Sequence, residues 1–174
     1  MPLTISRPEL LEADDDARFR QLIHDALGFS TRLLDIRNRL GEVIGLSGPA
    51  YSILIAIEHL SQAADIGISQ VSEHLHQSGA FVTLEVAKLV KTGHVAKSAN
   101  LEDGRRVVVT VTEKGRALLA ELAETQRPVN DAIFSRLDAD EFRAFAGIIA
   151  KLVAGTEESL ALLRYEAERR RARS

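Results

Sequence analysis

Apolar residues return every three or four positions along most of this chain, and one stretch breaks into strict alternation. Phe19, Ile23, Leu27, Ser30, Leu34 and Leu40 predict a long amphipathic helix that begins behind the carboxylates of Asp14, Asp15 and Asp16 and ends at Gly41. Gly48-Pro49 opens a second helix. Its Tyr51, Leu54, Ile55, Ile57 and Leu60 are so apolar that most of its faces must be covered, so it belongs to the core. Gly67-Ile68-Ser69 resets the chain, and Ser69 is the expected N-cap of a short helix through Val71, Leu75 and His76. Gln77-Ser78-Gly79 is the next break. Ser78 then caps a helix over 80–92 that turns Val82, Val86, Leu89 and Val90 to one side and leaves Phe81, Thr83, Glu85, Lys88 and Lys91 on others, with Gly93 as its stop.

Helical spacing gives way beyond Gly93. Residues 95–98 read as a short strand, 99–104 as a turn-rich loop, and 106–112 as a second strand in which Val107, Val109 and Val111 alternate with Arg106, Val108, Thr110 and Thr112. The product is a β-hairpin with Asn100, Glu102, Asp103, Gly104 and Arg105 at its charged tip. Leu118, Leu122, Val129, Ile133 and Leu137 restore a helical stripe that Pro128 should kink. Asp138-Ala139-Asp140-Glu141 then caps a last helix along Phe142, Phe145, Ile149, Leu152 and Leu163, and the Arg-rich end from Arg164 reads as frayed.

Two short helices around a tight turn, the second with a small and polar first turn, fit a helix-turn-helix whose second helix enters the major groove of DNA. The expected fold is therefore mainly α with a small β-hairpin wing, a winged helix-turn-helix flanked by N- and C-terminal helices. The expected division is 1–45 for the first helix, 46–116 for the DNA-binding domain, and 117–174 for the C-terminal helices and basic tail.

Composition narrows the chemistry. The 174 residues include no cysteine, which removes disulfides, thiolate metal sites, cysteine nucleophiles and thiol redox sensing together. The start, Met1-Pro2-Leu3-Thr4, lacks the basic-then-apolar order of a secretory signal, and no stretch approaches a membrane span, so the expected location is the cytoplasm, away from any membrane. A net charge of −3 looks wrong for a DNA binder, but the distribution matters more than the total. Seven Lys and Arg stand against five acids over 67–116, and four against eight over 117–163, which suits a basic face on an acidic body. Neither a glycine-rich phosphate loop, a Ser-His-Asp ordering nor a carboxylate pair in a pocket setting is present, so no enzyme and no cofactor is expected. His74 and His76 are two apart and would point to different sides of a helix, so no metal site is expected.

The run Asn100-Leu101-Glu102-Asp103-Gly104-Arg105-Arg106-Val107-Val108-Val109-Thr110-Val111-Thr112-Glu113-Lys114-Gly115 resembles the wing of the MarR family of winged-helix regulators and the Leu-Thr-x-x-Gly that follows it. The resemblance extends over about 16–163. It implies that Arg105 reaches DNA, commonly in the minor groove, and that Asp103 orients the loop. Asn100 replaces a usual acid and Val111 a usual leucine. The resemblance further implies a homodimer built from the first and last helices, and a small, often aromatic, anionic effector held near that interface. A repressor that leaves a pseudo-palindromic operator when its effector binds is the function it suggests. The alternative is a winged helix that meets another polypeptide, without ligand response.

The residues expected at double-stranded DNA are Ser78, Ala80, Phe81, Thr83, Lys88, Asp103, Arg105 and Arg106. Phe81 either meets a thymine methyl or covers the helix turn. His24, Arg32, Arg37 and Tyr51 either supply polar groups to an effector pocket or form salt bridges at a helical interface. His59 and His94 are expected at the surface or its boundary, and the 169–171 arginines either hold phosphate or are solvated.

Overall fold

The computed structural model describes residues 1–99 and 107–173. A 3-10 turn at Pro8–Leu10 precedes six helices and two strands: α1 (Ala17–Val43), α2 (Gly48–Leu60), α3 (Ile68–His74), α4 (Gly79–Lys91), β1 (Val95–Ala99), β2 (Val107–Val111), α5 (Glu113–Phe134) and α6 (Ala139–Arg171). The strands pair antiparallel, Val95 opposite Val111 and Ala99 opposite Val107. Among the described residues no single helix is long and apolar enough to cross a membrane. The chain divides into two compact units, Met1–Gln126 and Arg127–Ser174.

In the first unit the core forms around α2. Ile53, Leu54 and Ile57 pack with Val71 of α3, Val82, Val86 and Leu89 of α4, and Val95, Val109 and Val111 of the hairpin. Each such buried side chain contributes about 1.5–3 kcal/mol relative to exposure. A smaller cluster joins Leu40 of α1, Tyr51 of α2 and Leu122 of α5. Helix ends follow their local chemistry. The Ser47 hydroxyl accepts from Ala50 N at 3.3 Å to start α2. At the end of α1, Gly45 takes φ +70°, Gly45 N donates to Glu42 O, and Leu46 N donates to Gly41 O, which satisfies two of the helix's last carbonyls.

Several sequence expectations change in detail. Helix α1 runs two residues past Gly41, which is a contact point rather than a stop: a Cβ there would lie 3.1 Å from both Leu46 O and Tyr51 Cβ. Of the three aspartates ahead of α1, Asp16 faces inward, accepting from Thr4 N and Thr4 Oγ1 at 2.6 Å and from the Arg20 guanidinium, and makes no capping bond. Ser69 lies inside the first turn of α3; the N-cap is Gly67, whose amide donates to Gln70 Oε1 at 3.0 Å. In β2 Val108 is buried and Val107 exposed, the reverse of strict alternation at that end. The 65–70 segment lies against this part of β2, with Val109 N donating to Ile66 O at 2.9 Å, so the strand is covered on more than one side.

Helix α5 continues through Pro128. In the second unit the Asp138 carboxylate accepts from Asp140 N and Glu141 N at 2.8 Å, and Glu141 accepts from Asp138 N at 2.9 Å, the reciprocal cap expected from the sequence. Phe134 and Phe142 meet edge to face with centroids 5.9 Å apart. Helix α6 persists to Arg171, beyond the expected fraying at Arg164, and none of its 33 residues is buried.

Candidate nucleic-acid interface

The turn between α3 and α4 is set by two backbone devices. His76 takes φ +51°, its amide donates to Glu73 O at 3.1 Å, and Gln77 N donates to Ser72 O at 3.0 Å, so the left-handed residue that ends α3 is His76 rather than a glycine. Gly79, expected in the turn, is instead the first residue of α4. Ser78 is the N-cap, extended in backbone and accepting from Phe81 N at 3.3 Å.

From this start α4 exposes one continuous stripe: Ala80, Thr83, Leu84, Ala87, Lys88 and Lys91 recur at helical spacing on the side opposite Val82, Val86 and Leu89. Thr83 is exposed, and its Oγ1 donates to Gly79 O at 2.7 Å. Lys88 Nζ donates to Glu85 Oε1 at 2.5 Å. Phe81 does not join this stripe. It is half-buried and lines a cavity that residues of α1, α2 and α3 also border. Sequence reasoning missed Leu84 and Ala87; the available signal was an apolar Leu84, 57% exposed, at a position off the core stripe.

Beyond α4 the hairpin is fastened at its root. Gly93 takes φ +77° and donates to Val90 O, while His94 N donates to Leu89 O, both at 2.9 Å. Thr112 Oγ1 donates to Gly93 O at 2.7 Å and accepts from Gly115 N at 3.1 Å, and Lys114 Nζ donates to Thr92 O at 2.8 Å. A Cβ on Gly115 would fall 2.4 Å from His94 O, so the Thr-x-x-Gly start of α5 is a close approach of two backbones. These bonds hold the two strands in fixed relation to α4. His94 pairs through Nδ1 with Thr92 Oγ1 at 2.8 Å, and burial, then nearby Lys114, lower its pKa. Asp103, Arg105 and Arg106, expected at the wing tip, lie outside the described residues.

A cavity of about 590 Å³ opens between α1, α2, α3 and the start of α4. Arg37 and Asn38 of α1, Ser52 and His59 of α2, His74 of α3, Gln77 of the turn and Phe81 of α4 line it, with Leu34, Ile53, Ile55 and Leu75 as its apolar part. Of the four residues expected at an effector pocket, only Arg37 lines it. Tyr51 lies beneath in the core, with the Arg37 guanidinium carbon 4.9 Å from its ring centroid. Burial pushes the Tyr51 hydroxyl pKa up, and the positive charge of Arg37 opposes that. His24 and Arg32 sit on the exposed face of α1 and do not line the cavity; Arg32 donates to Gly28 O at 3.2 Å. The His59 and His74 rings meet with centroids 5.8 Å apart at the cavity edge. Among the described residues no three His, Asp or Glu side chains cluster so as to hold a metal ion.

No family model matches the chain. A stretch of 85 residues is 32% identical to the uncharacterized HTH-type transcriptional regulator YwhA of Bacillus subtilis, covering 49% of this chain and 61% of that protein. Over 109 residues it is 27% identical to an HTH-type transcriptional repressor of Mycobacterium tuberculosis, covering 63% and 76% of the two chains. Among solved structures, a MarR/EmrR family transcriptional regulator from Acinetobacter superposes with a TM-score of 0.68 at 18% identity, covering 80% of this chain and 96% of that one. The chain has the MarR fold. A mutant E. coli MarR complexed with operator DNA shares this MarR fold with a TM-score of 0.60 at 23% identity, over 78% of this chain and 94% of that one. These relatives are transcriptional regulators.

Proposed function

We propose that this chain is a sequence-specific DNA-binding transcriptional regulator of MarR type. The observation that carries this reading is the exposed stripe of α4: a capped helix, with two lysines on its outer face, backed by a core and tied at its end to a β-hairpin. Thr83 meets base edges, Leu84 and Ala87 offer apolar contact to thymine methyls, and Lys88 and Lys91 answer phosphates. The wing adds Arg105 in the minor groove, steadied by Asp103, with Arg106 beside it. The DNA complex of an E. coli MarR of the same fold supports this reading.

Two protomers, joined through their first and last helices, place two copies of α4 in successive major grooves of a pseudo-palindromic operator. A small anion, aromatic in part, enters the cavity, its charge set against Arg37 and its ring against Leu34, Ile53 and Ile55. Phe81 in the first turn of α4 and Gln77 just ahead of its N-cap both line the cavity, so occupancy acts on α4 directly and repression is relieved. A ligand-bound PcaV regulator from Streptomyces coelicolor, with a TM-score of 0.57, lends support by its fold alone.

Fluorescence anisotropy against labelled duplexes tests the central reading. Affinity should fall steeply with added salt, by about 0.9 log units per phosphate contact for each tenfold rise, and Arg105→Ala should weaken binding to all sequences. A salt-independent or absent interaction with duplex DNA would mark the fold as a protein-binding module instead.

A further inference from the structure

Helix α4 holds one carboxylate, and the fold buries it. Glu85 is 4% exposed on the side of Val82, Val86 and Leu89. Its Oε1 accepts from Lys88 Nζ at 2.5 Å, whereas Oε2 is buried with no hydrogen-bond partner among the described residues. At 3.6 residues per turn Lys88 stands on the border between Glu85 and the exposed stripe, with 59% of its own side chain open to solvent. The same ammonium group can therefore serve the carboxylate beside it or a phosphate in front of it. A buried anion with one charged partner retains that partner strongly, because releasing it leaves the charge uncompensated where water cannot reach.

We infer that Glu85 is a positioning residue that holds Lys88 back against α4 and so suppresses sequence-independent attraction to DNA. Resting on the DNA-binding reading above, the arrangement releases Lys88 to a phosphate only where the other contacts of α4 bring a duplex backbone close. The pair thus raises discrimination at the expense of raw affinity, a use of charge that works against unwanted partners. It also explains why the outer face of α4 keeps a lysine whose nearest neighbour is acidic.

The test compares two labelled duplexes of about 30 base pairs, long enough for two half-sites one turn apart. One is scrambled, and the other is selected by the wild-type protein from a randomised pool. Glu85→Gln should bind the scrambled duplex about threefold or more tighter, with a salt dependence steeper by about 0.9, so that the ratio between the two duplexes shrinks. In a Lys88→Gln background the same substitution should change neither quantity. Lys88→Gln alone, in which the glutamine amide can still donate to the Glu85 carboxylate, should leave the slope on the scrambled duplex untouched and lower it by about 0.9 on the selected one. Equal or weaker binding of Glu85→Gln to scrambled DNA, or an effect that survives without Lys88, overturns the inference. If Glu85→Gln does not fold, a lower slope of Lys88→Gln on scrambled DNA overturns it alone. Failure of the wild-type protein to bind either duplex overturns the DNA-binding reading itself.

Discussion

At the scale of single residues, two positions near the root of the hairpin carry consequences out of proportion to their size. Gly115 faces His94 O at 2.4 Å and Val111 Cγ1 at 2.6 Å from where a Cβ would stand, and one of these is rigid backbone. Gly115→Ala should therefore cost about 3 kcal/mol, read as a lower urea midpoint with an unchanged m-value. His94 has a pKa below its ordinary value, so the unfolded chain holds that proton more tightly than the folded one. Its contribution is fully present above the unfolded value of about 6.5 and is lost as pH falls through the lower folded value. The Tm of the wild-type protein should drop between pH 7.5 and 5 by more than that of His94→Gln; equal drops would remove His94 as the cause. The root of the hairpin was legible in the sequence because Thr112 and Gly115 stand at a fixed spacing in one contiguous run. Phe81 was ambiguous in the sequence, because the cavity it lines is built mostly from α1 and α2 residues distant from it along the chain.

At the scale of elements, order and type could be read from periodicity, and the ends only where one side chain does the capping. Ser78 and the Asp138–Glu141 box were legible on that ground. The end of α3 was not, since the left-handed residue there is His76 and the glycine three positions later serves another purpose. Alternation likewise misplaced Val107 and Val108, because a segment distant from the hairpin lies against β2 and buries a position the strand alone would expose. The start of α6 provides a direct check. Asp138→Ala removes an acceptor for two amides and should lower stability by about 1 kcal/mol in thermal melts, while Asp138→Asn should retain most of it. An equal loss in both would place the effect in charge rather than capping.

At the scale of the whole molecule, the terminal helices have more apolar surface than the chain itself covers. Leu22, Leu27 and Leu34 on α1 and Ile148, Leu152, Leu160 and Leu163 on α6 are all exposed. A large unpartnered apolar surface marks an interaction site, and a second copy of the chain is the partner proposed above. Sequence periodicity showed that these stripes exist; it had no means of showing what covers them. Leu152→Glu should convert the dimer to a monomer in sedimentation velocity and abolish duplex binding at concentrations where the wild-type protein binds. None of the 33 residues of α6 is buried, and most of a helix's stability in a protein comes from packing of its apolar face, so within one chain α6 draws little from burial beyond the Phe134–Phe142 contact at its start. On the dimer proposed above, the order of α6 depends on protein concentration, because dilution that separates the two copies also removes the packing that covers this helix. Under that proposal, the amount of the protein present sets how much of its C-terminal helix is formed.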